Sequence, residues 1–257
     1  MNPIRWIRSL FGKKTMKIEV CALPSQGFFY DGGFELSIKK ARPEEIAEYE
    51  SGYDPEDLGM VLSKLKKIVM DNVILPKGYT FGHIKSIDVV FIFLEIVSFT
   101  KQSPISLEYY NDEIGTIDKI PFGQSSFNYF CIEKELMKKY VKEEKCFCIN
   151  GYKFTLPSIG IENSLTNYLM SKSHDPEAER FNDYSYNFTY FLGNKEFVTF
   201  EEIDNLIEIF NSDMDEEETA KVEEAVETFL PMQRYSLVKN NRVIEMSSKI
   251  NLREIWK

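Results

Sequence analysis

The chain has 257 residues, 43% hydrophobic and 14% aromatic, enough apolar material for a core and an argument against wholesale disorder. Its 31 basic and 41 acidic residues leave a net charge of −10, the wrong balance for a general nucleic-acid surface. The longest apolar run, Ile87 to Phe99, contains Asp88 and Glu95 and is too short for a bilayer, which takes about 20 residues.

Residues 1–15, MNPIRWIRSLFGKKT, differ from everything after them. Arg5, Arg8, Lys13 and Lys14 give +4 with no acid, so the remainder holds 27 basic against 41 acidic residues, a charge of −14. Ile4, Ile7 and Phe11 fall at helical spacing beside Trp6 and Leu10. Three readings stay open: a basic amphipathic segment that docks into a partner, one that lies on a membrane, or an unstructured leader. Translation from Met16 would remove the segment altogether.

Two strands are predicted next, Lys17–Leu23 and Phe34–Lys40, the second with Phe34, Leu36 and Ile38 alternating against polar residues. Arg42-Pro43-Glu44-Glu45 starts a helix, with proline in the first turn and acids against the dipole. Asp54 starts another, placing Leu58, Val61, Leu62, Leu65, Ile68, Val69 and Val73 on one buried stripe. Ser86 is the expected cap of a third, Ile87 to Lys101, apolar on nearly every side. Short strands and turns follow from Pro104 to Phe130, and Cys131–Glu144 reads as a helix or a charged linker. Asn150-Gly151, between alternating runs, is a two-residue hairpin turn. Helices are expected at IENSLTNYLMSK, after Asp175-Pro176, at Thr199–Phe210 behind a capping box, and across DEEETAKVEEAVETFL. A final hairpin turns at Asn240-Asn241.

Chemistry is sparse. Cys146 and Cys148 share one strand face, but one intervening residue is not zinc spacing, and Cys21, Cys131, His83 and His174 offer no second pair, so buried strand thiols are the expectation. His83 reads as a loop histidine and His174 as a solvated turn residue, leaving no material for a nucleophilic triad. The acidic run Asp213, Asp215, Glu217, Glu224 has Glu218 where a calcium loop needs glycine, so a capped helix explains it. Phosphate-binding glycine loops are absent. No metal, cofactor or small-molecule substrate is expected, and the chain reads as a non-enzyme. With no cleavable signal pattern before the four cysteines, the expected setting is reduced and intracellular.

The most ordered stretch is LPSQGFFYDGGFELSIKKARPEE, residues 23–45. Pro24 ends the first strand, Ser25 can bond nearby backbone, and Gly27 permits a positive φ. Gly32 and Gly33 complete the turn into the next strand. Phe28, Phe29 and Tyr30 either cover the turn or anchor a partner. Leu23, Pro24, Ser25, Gly27, Tyr30, the two glycines, the strand Phe34–Lys39 and Glu44-Glu45 resemble, in order and context, the N-terminal signature of a tail-baseplate hub family. Those proteins are baseplate hub subunits or hub assembly factors of T-even-like contractile-tailed bacteriophages. The resemblance covers residues 20–99, and the basic leader and the acidic helices after Thr199 depart from it.

The expected fold is α+β, helix-rich, with several small antiparallel hairpins, in two lobes (residues 16–103 and 104–257) behind the leader of residues 1–15. What the resemblance implies is a non-catalytic structural or assembly protein of a phage tail, found in the host cytoplasm and then in the baseplate. A transient chaperone absent from the virion is the first alternative, and a membrane adaptor using the leader is the second. The expected partners are other tail and baseplate proteins. The contact residues proposed for them are Phe28, Phe29, Tyr30, Arg5, Trp6 and Arg8.

Overall fold

A computed structural model describes residues 14–51, 58–111, 115–122, 137–172, 198–212, 216–229, 236–239, 242–245, 252 and 255–256. The leader residues Arg5, Trp6 and Arg8 lie outside this set, as do Cys131, His174, Asp213, Asp215, the helix expected after Asp175 and the turn Asn240-Asn241.

The fold is α+β: six α-helices and four small antiparallel sheets among the described residues. Strand β1 (Thr15–Ile18) pairs with β2 (Leu36–Lys39), and β2 pairs in turn with β3 (Val73–Ile74). Leu36 and Ile38 are fully buried, as their alternation demands. The first strand is shorter than expected, because β2 offers it only four partners. Beyond it the chain tightens into a 3₁₀ turn at Val20–Ala22.

Helix α1 (Pro43–Glu50) begins on its proline, and the Glu45 carboxylate reaches back 2.8 Å to accept from the Arg42 N–H. Helix α2 (Leu58–Asn72) buries Val61, Leu65, Ile68 and Val69 but leaves Leu62 47% exposed, which corrects its expected place on the buried stripe. The buried face points at α3, and Leu62 stands on the adjoining stripe with Lys66 and Met70. The Lys64 ammonium donates to the carbonyls of Glu48, Tyr49 and Ser51 and so closes the end of α1. Helix α3 (Val89–Lys101) is the centre of the core, with eight buried apolar residues, and Gln102 ends it in the left-handed region. Ser86 does not cap it. A 3₁₀ turn, Ser86–Asp88, precedes the helix instead, and the Asp88 side chain makes no capping hydrogen bond.

Strands β4 (Ser106–Asn111) and β5 (Thr116–Pro121) form an isolated hairpin. Strands β6 (Tyr140–Val141), β7 (Cys146–Ile149) and β8 (Tyr152–Phe154) form a second sheet, so residues 140–144 are strand and turn rather than helix. Its turn holds Asn150 at φ 52° and Gly151 at φ 87°, the pair of positive angles that a two-residue hairpin needs. Helix α4 (Ile159–Ser171) is capped by Ser158, whose hydroxyl accepts from the Ile161 N–H. Helix α5 (Phe200–Ser212) carries its capping box: the Thr199 N–H donates to Glu202, and the Glu202 N–H donates to the Thr199 hydroxyl. Helix α6 (Glu216–Phe229) and the hairpin of β9 (Ser236–Lys239) and β10 (Arg242–Glu245) follow.

Packing crosses the expected boundary near residue 103. The main cluster around α2, α3 and β2 also takes in Ile105, Leu107, Phe122, Ile159, Ile255 and Trp256. Trp256 meets Tyr49 and Phe93 edge-on, and Lys101 donates to the Ile255 carbonyl. A second cluster joins Phe29 and Ile87 to β7, β8 and α6, while a third binds α4 to α5.

Candidate functional site

Residues 23–30 form a loop that turns inward. Leu23, Pro24 and Ser25 are buried, and Gly27 takes φ 77°, where a side chain would also press on Val20 at 3.2 Å. What holds the loop is Asp88, 63 positions away. Its carboxylate accepts from the Ser25 N–H at 2.7 Å on one oxygen and from the Tyr30 hydroxyl at 2.7 Å on the other. The Tyr30 oxygen in turn accepts from the Lys85 N–H at 2.9 Å. Asp88 is fully buried, and burial pushes its pKa up to about 6 against the donors on Ser25 and Tyr30 and the charge of Lys85. The carboxylate therefore remains ionised at neutral pH inside the core and ties the aromatic loop to the entrance of α3.

The rings follow the loop. Tyr30 stacks on Phe34 with centroids 4.1 Å apart, and Phe34 meets Tyr79 edge-on. Phe29 is only 3% exposed and lies against Tyr140 and Phe147. Phe28, half-buried, packs on Tyr140, whose hydroxyl donates to the Phe28 carbonyl. Phe29 and Tyr30 thus belong to the core and present no face to a partner, which corrects their expected role as interface anchors. The physical reason is the network above: a Tyr30 hydroxyl bonded on two sides fixes its ring inside. Gly32 and Gly33 lie exposed in the turn beyond, without a positive φ.

A cleft opens immediately beside this latch. It has a volume of about 210 Å³ and lies between α2, the start of α3 and the segment leading into α4. Leu62, Leu65, Ile87, Val90 and Leu156 make an apolar lining. Lys66 and Glu162, paired at 2.9 Å, stand across it. The walls are pinned by backbone: the Ser86 N–H donates to Pro157, and the Ile159 N–H donates to Ile84. Small-molecule sites usually enclose about 300 Å³ or more, whereas this volume suits one or two side chains.

The other candidates resolve to structure. Cys146 and Cys148 share a face of β7, opposite Phe147, and both are free thiols. On one strand face their Cβ atoms stand about 6.6 Å apart, well beyond the roughly 3.5–4.5 Å that a disulfide needs. Burial pushes the Cys146 thiol up to about 11, and the nearby Glu144 carboxylate adds to the effect. Among the described residues no three side chains could hold a metal ion, and no helix is long and apolar enough to cross a membrane. His83 closes a 3₁₀ turn by accepting from the Thr80 N–H. On α6, Glu217 pairs with Lys221, and Glu224 accepts from Asn150.

Asp88 is the site residue that residue-by-residue reading passes over. Its one signal is a carboxylate inside an otherwise apolar run. Glu95 shares that signal, and burial pushes its pKa up to about 7. In comparisons with protein-family models, curated proteins and solved structures, nothing matches this chain.

Proposed function

We propose that the chain is a non-catalytic structural or assembly protein of a phage tail baseplate or hub, working through protein–protein contacts. The observation that carries the contact reading is the small apolar cleft beside the Asp88 latch. Rigid pockets of one-side-chain size, rimmed by a charged pair, are where interfaces concentrate their binding energy. The tail assignment is supported by the resemblance over residues 20–99, whose Pro24, Ser25, Gly27 and Tyr30 all serve the latch.

Mass spectrometry of purified infectious particles and of assembly intermediates tests this reading. A structural subunit is present in both at stoichiometric amount, and a chaperone only in the intermediates. Absence from both overturns the proposal. Leu62→Glu, which places a charge at the exposed edge of the cleft, is expected to abolish co-purification with tail proteins while leaving the circular dichroism spectrum unchanged.

A further inference from the structure

The ridge of α2 that borders the cleft is apolar and exposed. Leu62 is 47% exposed, Met70 51% and Ile74, in β3, 43%. Leu62, Lys66 and Met70 recur every four residues, so they form one row along the helix, and Ile74 is exposed in the strand that follows it. Lys66 interrupts the row, but its charge is already met by Glu162.

Strands β1 and β3 both run antiparallel to β2, so they are parallel to each other, and both begin at the same end of the sheet: Thr15 faces Lys39, and Val73 faces Ile38. The chain before Thr15 therefore leaves the sheet at the end where α2 arrives, about 10 Å from it, two strand spacings away. Thirteen residues span about 20 Å as a helix and twice that when extended. From Val73 back to Leu62 is about 16 Å along α2. Length and exit point thus put the ridge within reach of residues 1–13. Their composition fits it: Ile4, Ile7 and Phe11 at helical spacing, with Arg5 and Arg8 to the side.

We infer that residues 1–13 dock in cis on the exposed ridge of α2, with their apolar stripe over Leu62, Met70 and Ile74. The inference goes beyond the tail-assembly reading and does not depend on it. Its consequence is that the ridge beside the cleft is covered by the chain itself, and a partner that needs the full surface must displace the leader.

The experiment follows Trp6, one of only two tryptophans, in full-length protein carrying Trp256→Phe. Acrylamide quenching of Trp6 is expected to be weak, and to rise several-fold when Met70→Glu and Ile74→Glu are added. Equal quenching with and without the two glutamates overturns the inference. Tryptic cleavage after Arg5 and Arg8 in the chain with native Trp256 supplies a second readout, independent of that substitution. Met70→Glu is expected to accelerate cleavage several-fold with the helical signal unchanged, and no acceleration overturns the inference. Shielding of Trp6 that appears only at high protein concentration assigns the leader to a second copy, and shielding only with anionic vesicles assigns it to a membrane. Either result also overturns docking in cis.

Discussion

The entrance to α3 and its middle each hold a carboxyl group, and the two behave differently. Asp88 is wholly buried, yet donors on Ser25 and Tyr30 and the charge of Lys85 hold its pKa to about 6. Glu95 is only partly buried, but burial is the one influence on it, and its pKa climbs to about 7. The two acids are thus raised to a similar extent, although only Glu95 is left without a donor to offset its burial. Burial sets the cost of the charge, and the number of donors decides whether the charge survives. Asp88 is a tie between two segments, whereas Glu95 is raised by burial alone and ties nothing among the described residues.

The largest expected effect breaks the tie. Asp88→Ala leaves the Ser25 N–H and the Tyr30 hydroxyl without their acceptor and removes the counter-charge of Lys85, at a cost of about 3–5 kcal/mol in urea unfolding at pH 7. An unchanged midpoint would show that the network contributes nothing. Acid-to-amide changes sharpen the contrast, because the two sites should respond with opposite signs. In Asp88→Asn an NH₂ group faces a donor on one side or the other, so stability falls by about 1–3 kcal/mol.

Glu95→Gln should stabilise, and only at the higher pH. Folded Glu95 keeps its proton up to about pH 7, while the unfolded chain releases it near 4.5, so this group contributes less and less stability as pH rises through that window. The advantage of the glutamine variant is therefore nil at pH 4, grows between about 4.5 and 7, and levels off at about 1–3 kcal/mol, as read from urea midpoints across pH. Tyr30→Phe removes one donor from Asp88 and the acceptor of Lys85, for about 1.5–3 kcal/mol, and should raise the pKa of Asp88 further, which a carboxyl-labelled NMR titration would follow. The smallest effect concerns the thiols. Among the three described cysteines, exposed Cys21 should alkylate first and Cys148 more slowly, while Cys146, buried with its pKa pushed up to about 11, should react only on unfolding, as peptide mapping would reveal.

The local features were readable and the long-range ones were not. Proline in the first turn of α1, the Thr199–Glu202 box, the Asn150-Gly151 turn and the alternation of β2 each depend on neighbours within a few positions. The failures come from partners far along the chain. Leu62 matches the helical period of its stripe, but its exposure depends on where α3 and α4 stand. Ser86 has the chemistry of a cap, but a 3₁₀ turn lies between it and the helix. The inward turn of Phe29 and Tyr30 could not be read because it rests on a hydrogen bond spanning 58 positions. Composition marks the loop as important, and only the fold tells which way it faces.

Ile255 and Trp256 complete the cluster built on α1, α2 and α3, and Tyr49 donates to Leu252 across 203 positions. During synthesis the first three helices therefore emerge long before the residues that close their aromatic socket. At about 5–20 residues per second, the wait lasts on the order of ten seconds or more. Through that interval Tyr49 and Phe93 lack the edge-on cover that Trp256 gives them in the finished protein.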